Sequence, residues 1–120
     1  MMDFEVDGYD ALRRALACMC DALTREDVPD DAVFNCRLVA NELLVNALEY
    51  GGGSASFGVR REGDLLRISV RSVVRFRPPE TSCCSDVTSE RGRGLFLVDA
   101  LSESRAYSDE EGICVLVKLI

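Results

Sequence analysis

The stretch LLRISVRS at positions 65–72 constrains the fold more than any other part of the chain. Apolar and polar residues alternate in it, and Leu66, Ile68 and Val70 form the apolar set. Successive side chains of a β-strand point to opposite faces of the sheet, so the alternation predicts one covered and one solvated face. Other apolar parts of the chain must therefore pack on one face only.

The rest of the chain supplies helices suited to that role. Apolar residues recur at helical spacing from Tyr9 to Leu23. A second helix is predicted from a cap at Asp30 or Asp31 to Tyr50, where three glycines end it. A third helix, with glycines at its start, follows a polar loop at 78–90. Strands are predicted at 4–6, 54–60, 65–72, 105–108 and 113–119. This order predicts an α+β two-layer sandwich, with a mixed, mostly antiparallel sheet and helices on one face.

Composition limits the class of protein. The 120 residues are 48% hydrophobic, which predicts a single domain spanning 1–120. No apolar run approaches the ~18 residues of a membrane span, and no secretory leader is present, so we expect a cytoplasmic protein that binds no membrane. The formal charge of −7 and the scattered arginines predict that the protein binds no nucleic acid.

The six cysteines do not predict a metal site. The chain has no histidine and no C-x-x-C pair, so a zinc site is not expected. Small core residues or reduced surface thiols account for these cysteines. The vicinal pair Cys83 and Cys84 lies in the polar loop, and a redox-sensitive role for it stays open.

The second helix carries polar residues on a background that is otherwise apolar. Within NELLVNALEYG, Glu42, Asn46 and Glu49 have the spacing of one helical face. Such a stripe is usually only a solvated surface. Asparagine, however, is a poor helix former, and its amide oxygen is a suitable ligand for a hard cation. The spacing therefore leaves two alternatives, a solvated face or a cation site.

A second signal is the tripeptide Gly92, Arg93 and Gly94 at the start of the third predicted helix. Glycines let the backbone approach a ligand closely, and the free N–H groups of a helix N-terminus attract phosphate. Glycine also enters helices after loops for no functional reason. The tripeptide is therefore informative only together with the polar residues of the second helix.

Together the two signals resemble the motifs of a known superfamily. The pattern E-x-x-x-N-A-x-x-Y-G, followed later by G-x-G-L-x-x-V, resembles the N-box and G2-box of GHKL ATPases. The matching residues are Glu42, Asn46, Ala47, Tyr50 and Gly51 in the first motif and Gly92, Gly94, Leu95 and Val98 in the second. The short chain and the stretch GRGLFLVDAL are most similar to the bacterial anti-sigma factor serine kinases.

The resemblance implies a role for each matching residue. Asn46 would coordinate the Mg²⁺ that bridges the phosphates of ATP, and Glu42 would be the catalytic base. The backbone from Gly92 to Leu95 would hold the phosphates, assisted by Arg91 or Arg93. Tyr50 stands where histidine is more common, and the loop at 78–90 would be the nucleotide lid.

The adenine side of the implied site departs from the family pattern. Where the G1 box D-x-G-x-G-[F/Y] is expected, the chain reads SVVRFRPP. Ser72 replaces the aspartate that accepts a hydrogen bond from the adenine amino group, at a cost of about 1.5–3 kcal/mol, or about 10- to 150-fold in affinity. Val73 to Arg75 replace glycines of a tight turn. Ile113 or Cys114 replaces a threonine expected at the start of the last strand.

Two functions follow from these observations. The first is an ATP- and Mg-dependent serine/threonine kinase that acts on an anti-sigma factor antagonist and also binds a sigma factor. The alternative is a degenerate module of the same fold that has lost productive ATP binding and regulates by protein–protein contact. A homodimer is possible in either case. An unrelated α+β domain with a polar helix stripe is the remaining alternative.

Overall fold

A computed structural model gives the fold, and it describes residues 2–50, 52–72, 98, 101–102, 104–108 and 112–119. In chain order the elements are β1 (Met2–Val6), α1 (Tyr9–Arg25), α2 (Asp30–Tyr50), β2 (Ala55–Glu62), β3 (Leu65–Ser72), β4 (Ser104–Ser108) and β5 (Gly112–Lys118). The predicted helices and strands are thus confirmed where the structure describes them. Val98 and Leu101 of the third predicted helix are helical, and the rest of that helix and the loop at 78–90 lie outside the described residues.

The strands form one sheet in the order β1-β2-β3-β5-β4. All four pairings between the described strands are antiparallel, so this sheet is antiparallel rather than mixed. The β2–β3 hairpin turns at Gly63, which has φ +62. Because β3 lies at the centre of the sheet, its alternation decides which face is covered.

The core lies between that face and the two helices. Leu66, Ile68 and Val70 are buried, as the alternation predicts, and they pack in one cluster with α2 residues such as Leu43 and Leu44. The residues on the opposite face of the sheet are half-buried or exposed. In β2 and β3 many of them have small or charged side chains, which are suited to contact with solvent. The α+β two-layer sandwich is therefore confirmed.

The start of α2 differs in detail from the prediction. The N–H of Val33 donates to the carbonyl oxygen of Pro29 at 3.0 Å, so Pro29 occupies the capping position. Asp30 and Asp31 lie in the first turn instead. Their carboxylates there complement the positive end of the helix dipole.

Three elements of the sandwich begin or end at one end of the molecule. Only four residues separate Tyr50 from Ala55, so α2 ends near the point where β2 begins. Ala55 pairs with Ser72 at the end of β3. The start of β5 lies beside it, because Val70 pairs with Ile113. The last turns of α2, the end of β3 and the start of β5 therefore share one end of the molecule.

Candidate functional site

The carboxamide of Asn46 is the most unusual group at this end of the molecule. Its residue is 4% exposed, and it is the single buried polar or charged residue among those that the structure describes. Leu43 and Ala47, on the same helix, are also buried. The described part of the chain offers no hydrogen bond to the Asn46 side chain. Leaving a buried amide unsatisfied costs about 1–3 kcal/mol, so the group calls for a functional explanation.

Glu42 lies one helical turn before Asn46 on α2. Residues four apart on a helix share a face, and Glu42 is half-buried there. The spacing therefore places Glu42 and Asn46 on one side of α2, at the border between core and solvent.

Glu49 does not belong to this pair, although its spacing suggested one stripe. Glu49 is exposed, and its Oε1 accepts a hydrogen bond from the Tyr9 hydroxyl at 3.3 Å. Partial desolvation, followed by the charge of Glu49 and this hydrogen bond, raises the pKa of Tyr9. The three polar residues of α2 therefore form two groups. Glu49 joins α2 to α1 through Tyr9, whereas Glu42 and Asn46 remain the candidate site residues.

Ser72 ends β3 and is half-buried. At the start of β5, the two residues predicted to stand where the family has threonine lie on different faces of the sheet. Ile113 is buried on the covered face, paired with Val70. Cys114 pairs with Ser69 and lies on the opposite face, where Arg67 Nη2 is 3.9 Å from its sulfur. Ile113 is therefore the residue that faces the interior, and it has no polar group to offer.

Gly112, the glycine of the charged turn that the sequence predicts before the last strand, is a structural residue of this end. It has φ +75, and an added Cβ would overlap the carbonyl oxygen of Val70 and lie 2.8 Å from the Cα of Arg71. Only glycine allows the backbone of β5 to begin this close to the end of β3. The signal available in the sequence was a glycine after the acidic pair Glu110 and Glu111.

Comparison with known proteins identifies the family of the chain. A protein-family model of the histidine kinase-like ATPase domain matches residues 6–119. The chain belongs to this family. The superfamily resemblance of the two motifs is thereby confirmed, and membership indicates an ATP-binding regulatory domain. No curated protein sequence matches the chain.

Several predicted residues of the ATPase domain lie outside the described residues. These are Arg91, Gly92, Arg93, Gly94 and Leu95, which form the predicted phosphate cradle. The side chain of Tyr50, the last residue of α2, is also outside them. Val98, the final residue of the second motif, is buried in the core, and the hydroxyl of Ser102 donates to its carbonyl oxygen. The second motif is therefore anchored at its C-terminal end.

Among the described residues, the Asn46 carboxamide is the group whose chemistry suits a magnesium–nucleotide complex. The described residues contain no group of three or more His, Cys, Asp or Glu side chains that could hold a metal by themselves. Mg²⁺ is often bound by one or two protein oxygens together with substrate phosphates, and the Asn46 carboxamide would be one such oxygen. Neither of the two described helices is long and apolar enough to span a bilayer.

Proposed function

We propose that the chain binds Mg-ATP at the end of the sandwich formed by α2, β3 and β5. The observation that carries this proposal is the buried Asn46 carboxamide, which has no hydrogen-bond partner within the described residues. A metal ligand needs an oxygen that is not already hydrogen-bonded. A single carboxamide does not indicate which ligand binds, but membership of the ATPase family indicates ATP. Gly92 to Leu95, with Arg91 or Arg93, would hold the phosphates at the start of the third predicted helix.

The finer proposal is a serine/threonine kinase that acts on an anti-sigma factor antagonist. Bound Mg-ATP supplies the phosphoryl group and neutralises its charge. Glu42 would accept the proton of the substrate hydroxyl, whose oxygen then takes the phosphoryl group while ADP leaves. The i, i+4 spacing of Glu42 and Asn46 supports this, because it keeps the base next to the metal ligand. A sigma factor would be a second partner.

A second candidate is a module that works by protein contact alone. Ser72 stands at the end of β3 where the family pattern has aspartate, and Ile113 beside it is apolar and buried. Both changes weaken recognition of adenine. They favour either weak binding of ATP or no binding at all. The residues proposed to bind Mg²⁺ and the phosphates are not affected by these changes.

Thermal unfolding with and without Mg-ATP separates the two candidates. At about 100 times the dissociation constant, the ligand adds about 2.7 kcal/mol, which raises Tm by roughly 10 °C in a domain of this size. Asn46→Ala should remove most of this shift. Asn35→Ala, a half-buried position of the same helix, is the matched control and should keep it. No shift for the wild-type protein at millimolar Mg-ATP would exclude the kinase.

Kinase activity has its own test. Phosphoryl transfer from labelled ATP to a purified anti-sigma factor antagonist should require Glu42. Glu42→Gln should abolish transfer and leave the thermal shift intact, because the base is not needed for binding. A variant that still transfers phosphate would remove Glu42 from the mechanism.

A further inference from the structure

A depression lies on the open face of the sheet, which is the face opposite the two described helices. It encloses about 360 Å³ and is formed by residues of β1, β2 and β3. None of Glu42, Asn46 and Ser72 lines it. The depression is therefore a candidate site separate from the proposed nucleotide site, and a ligand bound there would not need Mg-ATP.

The floor of the depression is open because Gly58 has no side chain. Gly58 of β2 pairs with Ser69 of β3 on one side and with Asp3 of β1 on the other. An added Cβ would lie 3.0 Å from Ser69 Oγ and 3.2 Å from Asp3 Oδ1. The φ of Gly58 is not positive, so the backbone conformation does not require glycine there. The glycine instead leaves room for a ligand atom within hydrogen-bond distance of both oxygens.

The β1 side of the depression is acidic. Asp3 and Glu5 are both exposed and both line it. Glu5 accepts a hydrogen bond from the hydroxyl of Ser56 at 3.0 Å. Asp3 forms no ion pair and no side-chain hydrogen bond within the described part of the chain. The Asp3 carboxylate is therefore available to a cationic group of a ligand.

The β3 side of the depression is basic. Arg67 and Arg71 stand two residues before and two residues after Ser69, so all three lie on the open face. Arg60 of β2 also lines the depression. The carboxylate of Glu62 is 2.8 Å from Arg60 and 3.7 Å from Arg67, so two guanidinium groups share one carboxylate. This side is suited to an anionic group of a ligand.

The distance between the acidic and basic sides limits the size of a ligand that engages both. Neighbouring strands lie about 4.8 Å apart, and β2 separates β1 from β3, so the two sides are about 10 Å apart. An extended tripeptide is also about 10 Å long. At neutral pH it carries an ammonium group at one end and a carboxylate at the other. A ligand with a single charge would engage only one side.

We propose that the depression binds a short peptide of about three residues in extended form, through its free termini. The ammonium group binds the carboxylate of Asp3. The peptide main chain crosses the sheet over Gly58, where the hydroxyl of Ser69 forms a hydrogen bond with it. The terminal carboxylate lies between Arg67 and Arg71. The site recognises the two terminal charges and the length between them, so a peptide of glycine residues is sufficient.

Titration of the full chain with triglycine, followed by the amide chemical shifts in NMR spectra, tests this proposal. The shift changes should be concentrated in β1, β2 and β3. N-Acetyl-triglycine lacks the ammonium group, and triglycine amide lacks the carboxylate. Each should bind about threefold more weakly than triglycine, or weaker still, because it loses one charged contact. Diglycine is too short to reach both sides and should also bind more weakly.

Two charge variants assign each terminus of the peptide to its side of the depression. In Asp3→Asn, triglycine should lose its advantage over N-acetyl-triglycine and keep its advantage over triglycine amide. Arg71→Gln should have the opposite effect, reducing only the advantage over triglycine amide. The matched controls Asp7→Asn and Arg14→Gln remove exposed charges outside the depression, and they should change neither preference.

Gly58→Ala tests the path of the main chain, because the new methyl group would occupy the floor of the depression. It should weaken triglycine binding. Gly8→Ala is the matched control, since nothing lies within 4 Å of the added Cβ, and it should bind triglycine like the wild type. Circular dichroism shows whether each variant is folded. The proposal is overturned if triglycine at its solubility limit shifts no amide signals of these strands, if both blocked peptides bind as tightly as triglycine, or if folded Gly58→Ala binds it unchanged.

Discussion

The hydroxyl of Tyr9 donates a hydrogen bond to Oε1 of Glu49 at 3.3 Å, which joins the first residue of α1 to the last turn of α2. Forty residues separate the two in sequence. Glu49 lies one turn after Asn46, so the contact helps to position the end of α2 from which the proposed nucleotide site is built.

Replacing Tyr9 by phenylalanine should lower Tm slightly at neutral pH, because the hydrogen bond is exposed. The pKa of Tyr9 is raised from 10.0 by desolvation and by Glu49, so the neutral phenol is favoured in the folded state. The resulting contribution to folding stability is fully present below pH 10, and it is lost as the pH rises through the raised pKa of Tyr9. The Tm difference between wild type and Tyr9→Phe should therefore vanish or reverse above pH 10. A difference independent of pH would contradict this contact.

Gly112→Ala should destabilise the domain by about 3 kcal/mol or more. Alanine would be strained by the positive φ at this position, and its Cβ would also overlap Val70 and Arg71 of β3. Gly63→Ala is a matched control, because Gly63 also has positive φ but nothing within 4 Å of the added Cβ. The control should cost about 1 kcal/mol. Urea denaturation measures both, and equal losses would show that the contact with β3 is unimportant.

Asn46→Leu should raise the stability of the ligand-free domain by about 1 kcal/mol or more. Leucine has the same branching as asparagine, and it removes an amide that is buried without a hydrogen-bond partner in the described chain. The same change should abolish the Mg-ATP shift. Asn35→Leu, at a half-buried position, should bring no comparable gain. Loss of stability in Asn46→Leu would mean that the carboxamide is a structural group.

Ser72→Asp should tighten ATP binding by about 10- to 150-fold, if the lost aspartate accounts for a weak adenine site. The side chain ends β3, so the change needs no rearrangement of the strand pairing with Ala55. Isothermal titration with ATP and with inorganic triphosphate separates the effects, since only ATP has the adenine amino group. Equal changes for both ligands would point to general electrostatics.

Cys36 should resist alkylation in the folded protein, whereas Cys18 should react. Burial, with a smaller contribution from Cys20, raises the pKa of Cys36 from 9.0 to about 12. Folding favours the neutral thiol of Cys36. The resulting contribution to folding stability is fully present below pH 9 and is lost as the pH rises toward 12. Cys18 is exposed. Mass spectrometry after iodoacetamide treatment at pH 8, with and without urea, tests the contrast.

The architecture of this protein could be predicted from local patterns in its sequence. The alternation in β3 identified the covered face, and helical periodicity identified α1 and α2, because both depend on which side of an element meets the core. The motif around Glu42 and Asn46 identified the family in the same way. These features involve residues close together in the chain, so their meaning is readable without a fold.

Tertiary packing decided what those residues do. Spacing alone grouped Glu49 with Asn46, but α1 lies beside α2 and engages Glu49 through Tyr9, while Asn46 is enclosed. Strand register likewise decided that Ile113, and not Cys114, faces the interior. Burial and hydrogen bonding depend on neighbours that are distant in sequence, and only the folded chain brings those neighbours together.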